Sequence, residues 1–269
     1  MNLLITILLG SIQGITEFVP VSSSGHLVIL HDIFPVELIN SLGFDVALHL
    51  GTLIALIIYF YSDISKYLKA FISSFTNWDV KNNVEQKLAW LLVLSTIPAI
   101  IVALLFDNII ESSLRSPIVV ATTLLIGALL FFLVEKYSKQ NKSITNITCK
   151  KTVLLGLAQA LALIPGTSRS GITITMGMAL NLSREAATRF SFLMAIPIVF
   201  LAGTKKSYNI IQEGLVQEQI VLYAIGLLVS TIIGYLAIKY FLQFTKNHNL
   251  NWFGLYRIIL AIIILIVLV

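Results

Sequence analysis

Leu8-Leu-Gly-Ser-Ile-Gln13-Gly-Ile-Thr-Glu17-Phe-Val-Pro20-Val-Ser-Ser-Ser-Gly25 and Leu154-Leu-Gly-Leu-Ala-Gln159-Ala-Leu-Ala-Leu-Ile-Pro165-Gly-Thr-Ser168-Arg-Ser-Gly171 decide the fold. They align without gaps at a constant offset of 146 residues, with seven identities in 18 positions. Leucine content explains part of the match, but the shared glutamine and the Ser-x-Ser-Gly register do not follow from it. Each stretch lies in an apolar region, Leu3–Leu30 or Thr152–Leu182, broken in its middle by Pro20-Val-Ser-Ser-Ser-Gly-His26 or Pro165-Gly-Thr-Ser-Arg-Ser-Gly171. The flanks hold only about ten apolar residues each, too few to cross a hydrocarbon layer of about 30 Å as a helix. Two short helices around a tight tip predict a re-entrant hairpin. Irregular backbone at membrane depth is tolerated only against protein or water.

Outward from these breaks the chain is uniformly apolar. Of its 269 residues 57% are hydrophobic and 12% charged, with mean hydropathy +0.93. A soluble domain carries roughly twice that charge. A soluble globular protein, a disordered chain and a nucleic-acid binder are thereby excluded, and no nucleic-acid partner is expected. The single cysteine, Cys149, excludes a disulfide scaffold and a cysteine-rich metal site. Six stretches are long enough to span: Gly43–Tyr61, Leu88–Phe106, Pro117–Val134, Ala186–Ala202, Ile220–Phe241 and Trp252–Val269. The N-terminus lacks a basic region and carries Glu17, so it reads as mature protein and not as an export signal.

The expected fold is therefore an all-α polytopic membrane protein of two inverted-topology repeats. Residues 1–135 form the first repeat (hairpin 3–30 and three spans), 136–151 a cytoplasmic linker, and 152–269 the second repeat (hairpin 152–182 and three spans). A hairpin returns to its starting side and three crossings do not, so the second copy is inverted and the two tips can meet near the midplane. Lysines set the orientation. Lys66, Lys69, Lys81 and Lys87 follow the first span, and Lys136, Lys139, Lys142, Lys150 and Lys151 follow the third. Both segments are expected in the cytoplasm, with the turn holding Arg115, Asp107 and Glu111 outside. These lysines also account for the net charge of +5.

If the tips meet, Glu17 and Ser22, Ser23, Ser24 and His26 face Arg169 between Ser168 and Ser170. Gln13 lies one helical turn before Glu17 on the same face. Glu17 and Arg169 each cost about 2.5–3.5 kcal/mol at a helix centre, which calls for a partner or a task. A structural ion pair locking the repeats is one reading. The other starts from the serines, which cap half-helices whose free N–H groups and positive dipole ends, with a guanidinium, suit a phosphate or diphosphate. His26 beside a serine tip and a carboxylate is a candidate acid, base or nucleophile. Asp45 and His49, four apart, read as a hydrogen-bonded helix pair. Arg184, Glu185 and Arg189 mark the end of the second hairpin, Arg257 snorkels to an interface, and the Lys66–Lys69 segment is an amphipathic surface helix or a solvated connector.

At these residues the sequence resembles the undecaprenyl-diphosphate phosphatase family, also called the bacitracin-resistance protein family. The motifs are Gln13-Gly-Ile-Thr-Glu17-Phe-Val-Pro-Val-Ser-Ser-Ser-Gly-His26, Pro165-Gly-Thr-Ser-Arg-Ser-Gly171 and Gly43-Phe-Asp-Val-Ala-Leu-His-Leu-Gly-Thr52, and the match covers nearly the whole chain. The resemblance implies a multi-pass enzyme of the bacterial plasma membrane, with its site opening to the outer face. Such an enzyme removes the terminal phosphate of undecaprenyl diphosphate to recycle the carrier lipid for peptidoglycan, conferring bacitracin resistance. It further implies a divalent cation, Mg²⁺ or Ca²⁺, held by Glu17 together with the substrate diphosphate.

By motif, Glu17, Ser23, His26 and Arg169 are expected to act catalytically. Gln13, Ser22, Ser24, Gly25, Ser168, Ser170 and Gly171 are expected to bind substrate. The family's motif begins with Glu or Gln, and Gln13 here leaves Glu17 the motif's only carboxylate. The nucleophile stays open between Ser23, with His26 as proton-transfer partner, His26 itself, and water. Beyond the lipid substrate and membrane lipids, a homodimer stays open as an assembly. A polyprenyl-phosphate flippase is the alternative function, since inverted repeats often serve alternating access. A lipid phosphatase of the phosphatidic-acid type is rejected: Thr175 stands where its histidine is needed, and its Lys-x6-Arg-Pro motif is absent.

Overall fold

The computed structural model describes residues 2–33, 42–114, 116–213 and 217–269. Arg115 lies outside the described residues, as do the side chains of Asp107 and Glu111, whose backbone continues the helix that ends at Ser113. Within them the chain is helical: α1 Asn2–Thr16, α2 Ser23–Ile33, α3 Leu42–Tyr59, α4 Tyr61–Ser73, α5 Val84–Ser113, α6 Pro117–Tyr137, α7 Cys149–Leu161, α8 Arg169–Ala179, α9 Arg184–Glu213, α10 Gln217–Asn247 and α11 Asn251–Leu268. The only extended pairing among the described residues is an isolated bridge between Lys142 and Leu182.

Among the described residues five helices are long and apolar enough to cross a membrane: Val84–Phe106, Pro117–Tyr137, Arg184–Tyr208, Gln219–Asn247 and Asn251–Leu268. The pair α3 and α4, bent by 78° at Phe60, supplies a sixth. These match the six stretches read from the sequence. Large apolar side chains such as Leu104, Leu105, Leu129 and Ile266 stand outward and exposed, the pattern of a lipid-facing surface. The Lys66–Lys69 segment is helical, as α4, with Lys66 paired to Glu85 at 2.8 Å.

Both broken regions are helical hairpins. α1 and α2 flank the break at 17–22, and α7 and α8 flank the break at 162–168. The first arm of each hairpin packs chiefly on a helix of the other half of the chain, α1 on α10 and α7 on α5, whereas the second arms pack more within their own half, α8 on α9 and α2 on α1, and only secondarily across it, on α6 and α11. Glycine makes the closest of these approaches possible. A Cβ at Gly156 would stand 2.7 Å from the Ser95 carbonyl, and one at the equivalent Gly10 would stand 3.1 Å from the Gly226 carbonyl. Beneath the first tip, Phe18 seats edge-on against Phe192 at 5.4 Å between centroids, in a core shared with Phe60 and Phe241.

The lysine-rich segments gather at one end. Arg184 forks onto Glu135 at 2.5–3.1 Å, Arg189 holds both Asp63 oxygens at 2.7 Å, and Lys87 Nζ donates to the Thr145 carbonyl at 3.0 Å. Arg184 and Arg189 therefore tie α9 to α6 and α4 as well as marking a helix start.

Candidate active site

The two tips are built alike. Ser22 and Ser168 both take positive φ, 73° and 64°, a region that strains a residue carrying a Cβ. Each then caps the helix that follows. Ser22 Oγ accepts from Gly25 N at 3.3 Å, and Ser168 Oγ accepts from Gly171 N at 3.2 Å. Each bonds the serine two places on, Ser24 at 3.1 Å and Ser170 at 3.3 Å. The tips touch where Gly166 N donates to Ser24 Oγ at 3.1 Å. Residue 23 opens α2 as residue 169 opens α8, so the offset that aligns the sequences also places Ser23 and Arg169 at matching helix starts.

Glu17 joins them. The helical turn of α1 continues through Glu17 N, which donates to the Gln13 carbonyl at 3.0 Å, so the Gln13 and Glu17 side chains share one face. Arg169 Nη2 donates to Glu17 Oε1 at 2.7 Å. Gln13 Nε2 and Ser23 Oγ both donate to Glu17 Oε2 at 3.0 Å. The carboxylate is 8% exposed and the guanidinium side chain 13%. Arg169 Nη1 is buried without a partner, so one arm of the guanidinium holds Glu17 and the other is available. A buried donor without a partner is costly in an empty site and is relieved by an anion.

The pair sits in a cavity of about 460 Å³ whose walls include Ser23, Ser24, Asp45, His49, Gln159, Ser168, Ile198, Val199 and Lys206. The structure thus brings Glu17, Ser23, Ser24, Ser168 and Arg169 to one surface. It places Ser22, Gly25, Ser170 and Gly171 one layer back, where Ser22 caps α2, Ser170 bonds the capping Ser168, and the glycine N–H groups are already bonded. Gln13 stands behind Glu17. His26 does not line the cavity: its Nδ1 pairs with the Ser22 carbonyl at 2.8 Å and its Nε2 with the Tyr256 hydroxyl at 2.7 Å, the rings stacked at 5.6 Å.

Three residues took on parts that sequence reasoning did not give them. His49 Nδ1 bonds the Asp45 backbone carbonyl at 2.8 Å, and its Nε2 lies 3.7 Å from Glu17 Oε2. Gln159, the offset partner of Gln13, lines the cavity. Arg257 does not snorkel. It is 1% exposed, its Nε donates to Pro20 O at 2.8 Å, its Nη2 donates to Thr167 O at 3.0 Å, and its guanidinium lies 5.2 Å from the Phe131 ring centre. One side chain thereby ties both breaks together. A lone arginine one turn inside an apolar span signals a cost to be met, but not which groups meet it.

The donor set gives a divalent cation little to hold. Among the described residues no three His, Cys, Asp or Glu side chains cluster, and both Glu17 oxygens already accept from Arg169, Gln13 and Ser23. Hard cations take six or more oxygens, and these residues do not supply them.

A family model described as Bacitracin resistance protein BacA matches residues 6–263. A protein of Rubrobacter xylanophilus named undecaprenyl-diphosphatase is 41% identical over 265 residues, 98% of this chain and 97% of that one. Proteins of the same name from Teredinibacter turnerae and Saccharophagus degradans are 39% identical over 270 residues and 42% identical over 261. They cover 99% and 97% of this chain, and 99% and 96% of their own.

Proposed function

The chain belongs to the bacitracin resistance protein family, and on that premise we propose that it hydrolyses undecaprenyl diphosphate to undecaprenyl phosphate and inorganic phosphate in the bacterial plasma membrane. The observation that carries the site is the Glu17 carboxylate clamped between the Arg169 guanidinium and the Ser23 hydroxyl where two broken helices meet. A polyprenyl-phosphate flippase is not favoured, because the similar proteins are named for the phosphatase reaction.

The terminal phosphate enters beside Ser23, with Arg169 Nη1 donating to its oxygens. Ser23 Oγ attacks the terminal phosphorus and gives its proton to Glu17 Oε2, 3.0 Å away. The bond from phosphorus to the bridging oxygen breaks, and Glu17 returns the proton to the departing lipid monophosphate. Water, deprotonated by Glu17, then attacks the phosphoserine. Inorganic phosphate leaves and Ser23 recovers its proton. The half-helix starts at Ser23 and Arg169 add their dipoles to the stabilisation of the transferring group. A divalent cation, if one takes part, would have to come with the substrate and would supply neutralising charge, because the described residues offer it no cage.

The inverted arrangement of the two repeats is supported by the crosswise packing of the hairpins' first arms, α1 on α10 and α7 on α5, and the outward opening by the course of α9. Arg184 begins this helix at the lysine-rich end, and Lys206 lines the cavity about 33 Å further along it at 1.5 Å per residue. With lysines inside, the cavity mouth faces outside and the apolar wall at Ile198 and Val199 leads the tail into lipid.

The test is phosphate release from undecaprenyl diphosphate by purified protein. Glu17→Gln and Arg169→Ala are expected to lower kcat/KM by about 10²–10⁴. Near-normal rates in both folded variants would falsify the assignment.

A further inference from the structure

Gln159 is the offset counterpart of Gln13, yet its setting differs in one respect. Gln13 donates to Glu17 one turn on. The residue one turn beyond Gln159 is Leu163, which is the counterpart of Glu17 and also lines the cavity. Gln159 is 2% exposed, and both its amide nitrogen and its amide oxygen are buried without a partner. Burying an unpaired amide costs about 1–3 kcal/mol by mutational measures. A well-packed α7 with leucine there would not carry that cost. Arg169 Nη1, from the same half of the chain, is the other buried donor left unpartnered on this cavity. Lys206 stands on the same wall system.

We propose that Gln159, with Lys206, forms a second anion subsite that holds the lipid-proximal phosphate of the diphosphate, the one that is retained, beside the Arg169 arm that holds the terminal phosphate. Resting on the phosphatase reading, it divides the cavity in two. The arm of Glu17 and Ser23 works on the terminal phosphate, and the arm of Gln159 measures whether a second phosphate follows. The donor end of the amide serves an oxyanion oxygen, and the carbonyl end serves a water or a phosphate hydroxyl. Such a subsite selects a diphosphate over a monophosphate. It also weakens the grip on the product once the diphosphate is split, because the lipid monophosphate then fills one subsite and not both.

The experiment uses the full-length purified protein and compares wild type, Gln159→Leu and Lys206→Met. KM and kcat are measured on undecaprenyl diphosphate, and inhibition is measured with inorganic diphosphate and with inorganic phosphate. Loss of one hydrogen bond to a charged group predicts that Gln159→Leu raises KM, and weakens inhibition by inorganic diphosphate, by about tenfold or more. Its kcat should fall less than about threefold, and inhibition by inorganic phosphate should move less than about twofold, since binding shared by ground and transition states appears in KM. Leucine removes two unpaired polar atoms at similar volume, so its melting temperature without ligand should not fall. Unchanged KM and unchanged diphosphate inhibition in Gln159→Leu overturn the subsite. Equal weakening of diphosphate and phosphate inhibition overturns it too, because Gln159 would then serve the reacting phosphate. If Gln159→Leu does not fold, Lys206→Met decides by the same ratio of the two inhibitors. A wild-type protein that releases no phosphate defeats the phosphatase reading itself, a result separate from either.

Discussion

The first tip reads Ser22-Ser23-Ser24-Gly25 and the second Ser168-Arg169-Ser170-Gly171. Much that shapes the backbone is common to both: the strained serine, its cap onto glycine N–H, its bond to the serine two places on, and the buried glutamine nine residues before. The chemistry sits where they differ. Ser23 faces Arg169 across the offset, and Glu17 corresponds to Leu163. On the proposed reaction, one arm carries the nucleophile and base, and the other carries a cation and an open donor. Positions that agree then build the scaffold, and positions that disagree are the ones the proposal assigns to the reaction. Two copies of one element have been divided into a reacting half and a holding half.

The sharpest way to break this comparison is at the serines. Ser23→Ala should lower kcat by about 10³ or more, the scale of a lost nucleophile, with an unchanged melting temperature because Ser23 caps nothing. Ser168→Ala, its structural opposite, should leave chemistry within a few-fold and cost about 1 kcal/mol of stability for the lost cap. Thermal unfolding and single-turnover phosphate release on the same preparations measure both. A reversed pattern, with Ser168 carrying the rate, would invert the two arms.

Next in size is the link between the tips. Arg257→Leu leaves the Pro20 and Thr167 carbonyls without their donor. At about 1–3 kcal/mol for each orphaned buried group, it should destabilise the protein by about 2–4 kcal/mol and loosen Glu17 from Arg169. Arg257→Lys restores charge but offers a point ammonium in place of a fork, so it should recover part of the stability and less of the activity. Full recovery by lysine would show that charge alone, not the two-carbonyl geometry, is what Arg257 supplies.

How much of this was legible depends on whether the cause was local. The breaks were, because a stretch of about ten apolar residues cannot span and a serine-glycine tip can turn. The Gln13–Glu17 face was, because helical spacing alone sets it. The meeting of Glu17 and Arg169 followed from the repeat. Arg257 was not, since its acceptors are backbone carbonyls 237 and 90 residues away in sequence, and a single arginine near a span end reads equally well as a snorkelling one. The distinction between Gln13 and Gln159 was legible in principle, because Leu163 at the Glu17 register already leaves the second glutamine without a carboxylate. His49 was not, because only the packing of α3 against the first hairpin sets its approach to Glu17 at 3.7 Å.

A smaller effect tests whether the holding arm tolerates the reacting arm's chemistry. Leu163→Glu installs the missing carboxylate one turn after Gln159, on the cavity wall. It should pair with Gln159 as Glu17 pairs with Gln13, remove the open donor, and repel the diphosphate. KM on the lipid diphosphate should rise about tenfold, equivalent to about 1.4 kcal/mol. No second nucleophile appears, because position 169 holds arginine. A KM that does not move would mean that Leu163 and Gln159 lie off the substrate's path.

The smallest expected effect concerns His26, which motif and chemistry both nominate and whose ring turns away from the cavity. Its Nε2 is taken by Tyr256 and its Nδ1 by the Ser22 carbonyl, and Glu17 already stands within hydrogen-bond distance of the Ser23 hydroxyl. A proton leaving Ser23 therefore has a shorter route than the imidazole. Tyr256→Phe removes one partly exposed hydrogen bond, worth about 0.5–1.5 kcal/mol, and should change kcat less than about threefold. His26→Asn gives up the bond to Tyr256 and should lower stability slightly while leaving kcat within about tenfold. The pair separates two mechanisms by pattern. If His26→Asn costs a thousandfold while Tyr256→Phe costs nothing, the imidazole must swing toward Ser23 during turnover, and the reacting arm would then hold two proton acceptors where the static geometry assigns the task to Glu17 alone.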